Sequence, residues 1–283
     1  MEKIAASMTA HAMQRRVHDA HVLDRTELAP DVVLLGVHAP EAARFTKPGQ
    51  FAMVMLPGGE NAAVALGIYE AHGDRVSFMF FVCGKRTHDL ARLHIGDRIS
   101  FYGPLGNGFL LDDVHSGDVA IVAGGVGIAS VLLPAQALIA RGVTVRLYYG
   151  ARSAERLVDA QRFADAGCEV HTSTDDGSHG YHGYISDLLA SASHTPTLIL
   201  ACGPTPMLRA TARVGTERHV PTQLSLEETF ACGVGGCWGC VVPLTRTSAQ
   251  APSFPPIECD GSDVVNARIC AEGPVFWAHE LRW

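Results

Sequence analysis

At 283 residues, with 47% hydrophobic and 18% charged residues, the chain has room for two ordinary domains and a small appendage. A formal charge of −7 argues against nucleic acid as the main partner, because neutralising phosphates takes a basic surface. The opening MEKIAASMTAHAMQRRV has no basic head followed by an apolar core, so it reads as a short leader onto a first strand and not as a signal peptide.

Residues 1–113 carry short apolar or alternating runs, FAMVMLP, RVSFMFFV and DRISFYG, broken by turn signals such as KPGQ, PGG and HGD. These predict an antiparallel β-barrel. One short helix is expected over 87–93, with Leu90 and Leu93 toward a core.

From Asp118 the rhythm changes. VAIVAGG, VTVRLYYGA, CEVHTST and TLILACG read as buried strands, and the stretches between them as helices, over 114–223. Strands alternating with helices predict parallel βαβ units in a doubly wound sheet, with ligands beyond the carboxyl ends of the strands. Val119 to Ala140 runs 22 residues without a charge, long enough to suggest a membrane span. Its three glycines, its proline and its β-branched start fit a strand, a turn and a helix better, so no membrane association is expected. That leaves a cytoplasmic setting, where disulfides do not persist.

The last stretch, 224–283, is a Cys-rich module with too little core to stand alone, so something besides apolar burial is expected to hold it. Cys232, Cys237 and Cys240 in FACGVGGCWGCVVPL give C-x4-C-x2-C, and Cys270 follows after 29 intervening residues. Four thiolates in that order suit a [2Fe–2S] cluster, and the four glycines let the loop wrap an inorganic group and offer it N–H donors. Zinc, which more usually pairs two C-x2-C knuckles, and inert thiols are the alternatives. Cys259 competes with Cys270 for the fourth position. Cys83, Cys168 and Cys202 read as buried small hydrophobes.

In the nucleotide half, Gly124, Gly125, Val126 and Gly127 follow an apolar strand and precede a helix, which suits a pyrophosphate. Asp175 and Asp176 end a strand where an adenosine ribose would lie. Their charge disfavours a 2′-phosphate and so favours NADH over NADPH, with Arg152 as the counterargument. The histidines of HTSTDDGSHGYHGY read as solvated loop residues. The chain has no Ser–His–Asp order, no paired catalytic carboxylates and no lysine in a Schiff-base setting.

VPTQLSLEETFACGVGGCWGCVV and CAEGPVF, in order after PGQFAMV, GPLGNGF, AGGVGIAS, TDDGSHGYHGYISDLL and ACGPTPML, resemble the iron–sulfur electron-transfer subunit of two-subunit dihydroorotate dehydrogenases. The resemblance covers most of residues 45–283. It implies a ferredoxin-reductase-like FAD barrel, an NAD domain and a [2Fe–2S] module, joined to an FMN-containing catalytic subunit in a heterotetramer of pyrimidine biosynthesis. It also implies Cys270 as the fourth ligand, with Cys259 in an insertion, and places Cys202, Gly203, Pro204 and Met207 near the nicotinamide. A flavin is required in any case between a two-electron hydride donor and a one-electron cluster.

The flavin segment departs from the family's pattern. Its Arg-Pro-x-Ser is here Val64, Ala65, Leu66 and Gly67. A second Arg, on the strand Met79, Phe80, Phe81, is replaced by Phe81, and the Gly-Thr pair by Arg86 and Thr87. Lys85 and Arg86 are the candidate replacements for two lost cations; the plain alternative is ordinary surface charge. The survival of Thr87 and of Gly103, Pro104 and Leu105 in GPLGNGF favours FAD over FMN. Two other functions compete: the reductase component of an oxygenase or another dehydrogenase, and a redox sensor. A plant-type ferredoxin domain needs strands before its first cysteine, and the sequence leaves no room for them.

Overall fold

The computed structural model describes residues 16–56, 63–245 and 263–283. The long stretch before Cys270, with Cys259, lies outside them.

Six strands close the barrel: β1 (Arg16–Ala29), β2 (Val32–His38), β3 (Phe51–Met55), β4 (Val64–His72), β5 (Arg75–Phe81) and β6 (Arg98–Leu105), paired antiparallel in the order β1-β2-β5-β4-β3-β6. Alternation explains how β2 is buried on both faces. Val33, Leu35 and Val37 point into the barrel with Phe78, Phe80 and Phe101, whereas Val32 and Leu34 pack outward onto the nucleotide domain. Arg75 opens β5 beside the Gly73–Asp74 turn, and its guanidinium is forked onto Asp24. The expected helix runs over Lys85–Ala91, with Leu90 buried. A second one, Pro40–Phe45, was not expected: it is six residues long and buries only Ala42 and Ala43.

The nucleotide domain is built on β7 (Asp118–Gly124), β8 (Thr144–Ala151), β9 (Glu169–Thr174), β10 (Tyr181–His182), β11 (Leu198–Cys202) and β12 (Thr222–Ser225). After Asp118, β7 is apolar, and β11 is apolar throughout, because helices or the barrel cover both sheet faces. After β7 the charge-free stretch bends into a 3-10 turn, Gly125–Ser130, and the helix Leu132–Ile139. No helix among the described residues is long and apolar enough to cross a membrane. His171 is a correction: it lies half-buried in β9, stacked on Tyr148 at 4.9 Å, and is no loop residue.

The cysteine-rich stretch contributes β13 (Val241–Thr245) and β14 (Val264–Arg268), paired with each other, and β15 (Val275–Trp277), which adds antiparallel to β12. The nucleotide sheet thus runs β10-β9-β8-β7-β11-β12-β15. The expected boundary at 223/224 falls inside β12. The small core of this stretch is supplied by its neighbours. Leu244, Val265, Ile269 and Phe276 share one apolar cluster with Phe51 and Leu105 of the barrel and with Ile199 and Leu208. Polar ties join the barrel to the other side of the nucleotide domain: Tyr69 Oη donates to Asp159 Oδ2 at 2.5 Å, and Arg162 Nε to the buried Glu70 at 3.1 Å.

Candidate functional site

A cleft of about 280 Å³ opens where the barrel, the nucleotide loops and the approach to the cysteines meet. From the barrel come Val64, Ala65, Leu66, Gly67, Met79, Phe80, Phe81 and Thr87, together with Gln50 and Phe51. Val126 and Ser130 reach it from the turn after β7, and Ser225, Leu226, Glu227, Glu228 and Phe230 from the chain leading to Cys232. Phe230 packs on Phe51 with ring centroids 4.9 Å apart.

Some expected flavin residues stand elsewhere. Gly103, Pro104 and Leu105 are buried at the end of β6 and do not line the cleft. The GNG turn after them faces the C-terminal segment instead, where Asn107 Nδ2 donates to the Glu272 carbonyl at 2.9 Å. Lys85 and Arg86 are exposed on their helix; Arg86 Nη1 donates to the Ala63 carbonyl at 2.9 Å, at the edge of the cleft beside Val64. Thr87 Oγ1 accepts from the N–H groups of Cys83 and Gly84 and so closes its own helix start. Cys83 is exposed and lines the cleft, contrary to its reading as a buried hydrophobe. Among the described lining residues there is no Lys or Arg, while two are carboxylates.

The nucleotide loops converge at the carboxyl ends of β7 and β11. A Cβ on Gly127 would lie 2.1 Å from the Cys202 carbonyl oxygen, so only glycine allows the two loops to touch. A Cβ on Gly124 would fall 2.6 Å from Met207 Sδ and 3.0 Å from Pro204 Cδ, and Gly203 adopts φ +153. Gly125, also at positive φ, faces open space. Arg152, Asp175 and Asp176 sit exposed at the neighbouring ends of β8 and β9, joined by the Asp176 N–H donating to the Arg152 carbonyl. Asp176 is already engaged: its carboxylate accepts from Ser178 N and Oγ at 2.9 and 2.6 Å, which holds its pKa below the ordinary value.

Cys202 is fully buried, and its thiol donates to Glu227 Oε1 at 3.6 Å. Burial first, and the Glu227 charge next, push that thiol well up. Surrounding protein likewise raises the Glu227 carboxyl, although its side chain stays open to the cleft. Sequence reasoning passed over Glu227, Ser130, Ser225 and Phe230. They lie inside motifs read only for their glycines or cysteines.

In the cysteine loop, Cys237 is exposed, Cys232 half-buried, and Cys240 and Cys270 buried. Cys232 neighbours Cys237; Cys270 neighbours Cys240, its N–H 3.5 Å from Cys240 Sγ. Gly235 N donates to Cys270 Sγ at 3.2 Å. Burial works to raise the Cys232 thiol, but N–H groups of Val234, Cys237 and Gly236 outweigh it and hold the pKa down at about 6. Among the described residues, no three His, Cys, Asp or Glu side chains close around a point that a single metal ion would fill.

The same architecture is found in the NADH-dependent reduced ferredoxin-NADP oxidoreductase of flavin-based electron bifurcation. That structure superposes on 93% of this chain and 90% of its own, with TM-score 0.79 and 26% identity. A ferredoxin reductase in carbazole 1,9a-dioxygenase shares the fold at 22% identity and TM-score 0.63, over 73% of this chain. Residues 121–213 match the oxidoreductase NAD-binding domain family. Fold and match define the class: an NAD-dependent oxidoreductase of ferredoxin-reductase-like architecture.

Curated relatives narrow this further. The dihydroorotate dehydrogenase B (NAD(+)) electron transfer subunit of Desulforamulus reducens is 31% identical over 275 residues, 95% of this chain and 99% of its own. That of Bacillus caldolyticus is 35% identical over 83% of this chain and 86% of its own. The chain belongs to the family of dihydroorotate dehydrogenase B electron transfer subunits.

Proposed function

We propose that this chain passes electrons between NAD(H) and a catalytic subunit that oxidises dihydroorotate, through FAD in the cleft and a [2Fe–2S] cluster on Cys232, Cys237, Cys240 and Cys270. One observation carries the reading: a single cleft is lined by the barrel, by Val126 of the nucleotide turn, and by Phe230, two residues before Cys232. A group bound there has the nucleotide loops on one side and the cysteine loop on the other. When bound, flavin and cluster convert two-electron hydride traffic into one-electron steps.

The chain's own residues supply the setting. Phe51, Phe81, Phe230 and Met79 give an apolar wall that suits a flat aromatic ring, with Phe80 beside them turned into the barrel. The phosphates fit less well, because the described lining residues include no Lys or Arg, and Lys85 and Arg86 are left to serve them from the edge. The touching loops at Gly127 and Cys202–Gly203 leave backbone N–H groups and small residues for the nicotinamide and pyrophosphate, with Gly124, Gly125, Pro204 and Met207 around them. Arg152, Asp175 and Asp176 take the adenosine ribose. Four thiols in C-x4-C-x2-C…C order, with N–H donors on their sulfurs, suit an anionic iron–sulfur cluster.

The relatives are named for dihydroorotate dehydrogenation with NAD(+), which supports electron flow from the partner to NAD⁺ as the proposed direction, with a heterotetramer as the proposed assembly. The oxygenase-reductase alternative is disfavoured because β12 ends only seven residues before Cys232, too few for the strands of a ferredoxin domain. The test is anaerobic co-expression with a dihydroorotate-oxidising FMN subunit. A stable complex that reduces NAD⁺ with dihydroorotate supports the reading. No complex, together with rapid NADH-driven reduction of a ferredoxin or oxygenase, sinks it.

A further inference from the structure

A buried ion pair stands behind the cysteine loop and has no part in the path described so far. The side chains of Arg268 and Glu272 are 4% and 3% exposed, on either side of Cys270 in sequence. Glu272 accepts from Arg268 N at 2.7 Å and Nε at 3.0 Å, and also pairs with Nη2. Nη1 turns the other way and donates to the Gly235 carbonyl at 2.8 Å. The guanidinium carbon also lies 4.8 Å above the ring of Trp238, which the loop presents at φ +56. One side chain therefore spans from the segment bearing Cys270 to the loop bearing the other three thiols.

The contact at residue 235 has an electronic side. Gly235 N donates to Cys270 Sγ. Its carbonyl, held by Arg268, belongs to the same peptide unit as the Gly236 N–H, which donates to the Cys232 sulfur. A cation on the carbonyl end of a peptide polarises its N–H end, and such chains strengthen in a low-dielectric site. Gly235 is needed for the approach: at φ +80, a Cβ would fall 2.9 Å from Ala271 Cβ and 3.1 Å from Arg268 Nη1. A buried pair gains little stability over apolar residues of equal size, so stability alone does not account for its presence.

We infer that Arg268 is a positioning residue that braces the cysteine loop and raises the reduction potential of the cluster held there, with Glu272 fixing its orientation. This rests on the [2Fe–2S] reading of the four cysteines. A cluster held by these thiols would gain one negative charge on one-electron reduction, and the guanidinium behind the loop, with the N–H groups it polarises, would favour that more negative form.

The test uses the full chain, reconstituted anaerobically with iron and sulfide. Arg268→Lys, Arg268→Met and the double variant Arg268→Met/Glu272→Met are compared with wild type for iron content, EPR line shape and cluster midpoint potential. Arg268→Met should shift the one-electron equilibrium about tenfold toward the oxidised form, about 59 mV lower. Arg268→Lys should keep iron but alter the line shape, because an ammonium cannot fork between Glu272 and Gly235. Should Arg268→Met fail to fold on account of an unpaired Glu272, the double variant decides, with a smaller fall in potential expected. Wild-type potential and line shape in both the lysine and the double variants overturn the inference. A wild-type chain that takes up no iron sinks the cluster reading and this inference with it.

Discussion

The cysteine loop and the cleft share the segment that runs from β12 to Phe230, and on the proposed reading each holds a group carrying negative charge. They differ in how that charge is met. The loop turns N–H groups onto sulfur and keeps a buried guanidinium behind them. The cleft offers apolar walls, no Lys or Arg among its described lining residues, and the carboxylates Glu227 and Glu228. Charge-assisted and backbone-fixed contacts are strong and directional, whereas apolar stacking is roughly proportional to area and indifferent to charge. The comparison therefore predicts a tightly retained cluster beside a loosely retained flavin.

The largest effect should come from the loop. Cys270 is 2% exposed and receives the Gly235 N–H, so Cys270→Ser should lose most of the iron. Cys259→Ser should keep it. Iron analysis after anaerobic reconstitution decides, and equal retention in the two variants would break the four-ligand assignment.

Next comes the cleft. Arg86 holds the Ala63 carbonyl beside Val64 and stands at the edge where phosphates would emerge. A charge-assisted contact is worth about 1.5–3 kcal/mol, and an exposed one falls at the low end, so Arg86→Ala should weaken FAD about tenfold. Arg75→Ala should leave affinity unchanged, because that guanidinium is committed to Asp24 and Ser77. Equilibrium dialysis compares them. If Arg86→Ala binds FAD as wild type does, the cleft depends on stacking alone and the contrast with the loop becomes sharper.

A third, smaller effect concerns the nucleotide. Asp176 is engaged by Ser178, which leaves Asp175 as the freer carboxylate to meet a 2′-phosphate, opposed by the exposed Arg152. Like charges 4 Å apart in water cost about 1 kcal/mol, roughly fivefold in a rate or affinity. Stopped-flow reduction of the flavin at matched concentrations should favour NADH by that factor. A preference for NADPH would assign the ribose to Arg152.

These regions also differ in how openly the sequence declares them. Parallel strands buried on both faces write continuous apolar runs ended by glycine, so β7 and β11 were legible from pattern alone, and β8 and β9 from their alternation with helical stretches. The thiol spacing was equally local. What escaped was non-local or carried by motif. β15 is three residues long and joins its sheet by pairing with β12, which no neighbouring residue announces. Gly103, Pro104 and Leu105 entered as motif residues, but the chain turns their backbone into the barrel wall. Glu227 was hidden beside the cysteines, since its position depends on Cys202, 25 residues earlier, arriving at the same cleft.

Glu227 also gives the smallest prediction, one that probes the electrostatics of the cleft while keeping the shape of its wall. Protein around the carboxyl disfavours the charged form and lifts its pKa above the ordinary 4.5; the hydrogen bond from Cys202 works the other way and loses. A group with a raised folded pKa contributes stability that is fully present below its unfolded pKa. That contribution is lost as pH rises through the folded value. Wild type should therefore become less stable from about pH 4.5 upward until the folded carboxyl has ionised, and flat thereafter in this group's contribution. Glu227→Gln keeps the shape and the acceptor for Cys202 but cannot ionise, so its melting temperature should not show that component. Thermal melts of the two proteins, run in parallel between pH 4 and pH 8, should diverge with Glu227→Gln the more stable at the alkaline end. Because the side chain is open to the cleft, solvent screens the effect and the gap should be small. Parallel melting curves across the range would mean that Glu227 ionises in the cleft as freely as in water. The cleft would then be as tolerant of negative charge as open solvent, and its lack of cations would no longer predict a weak hold on phosphate.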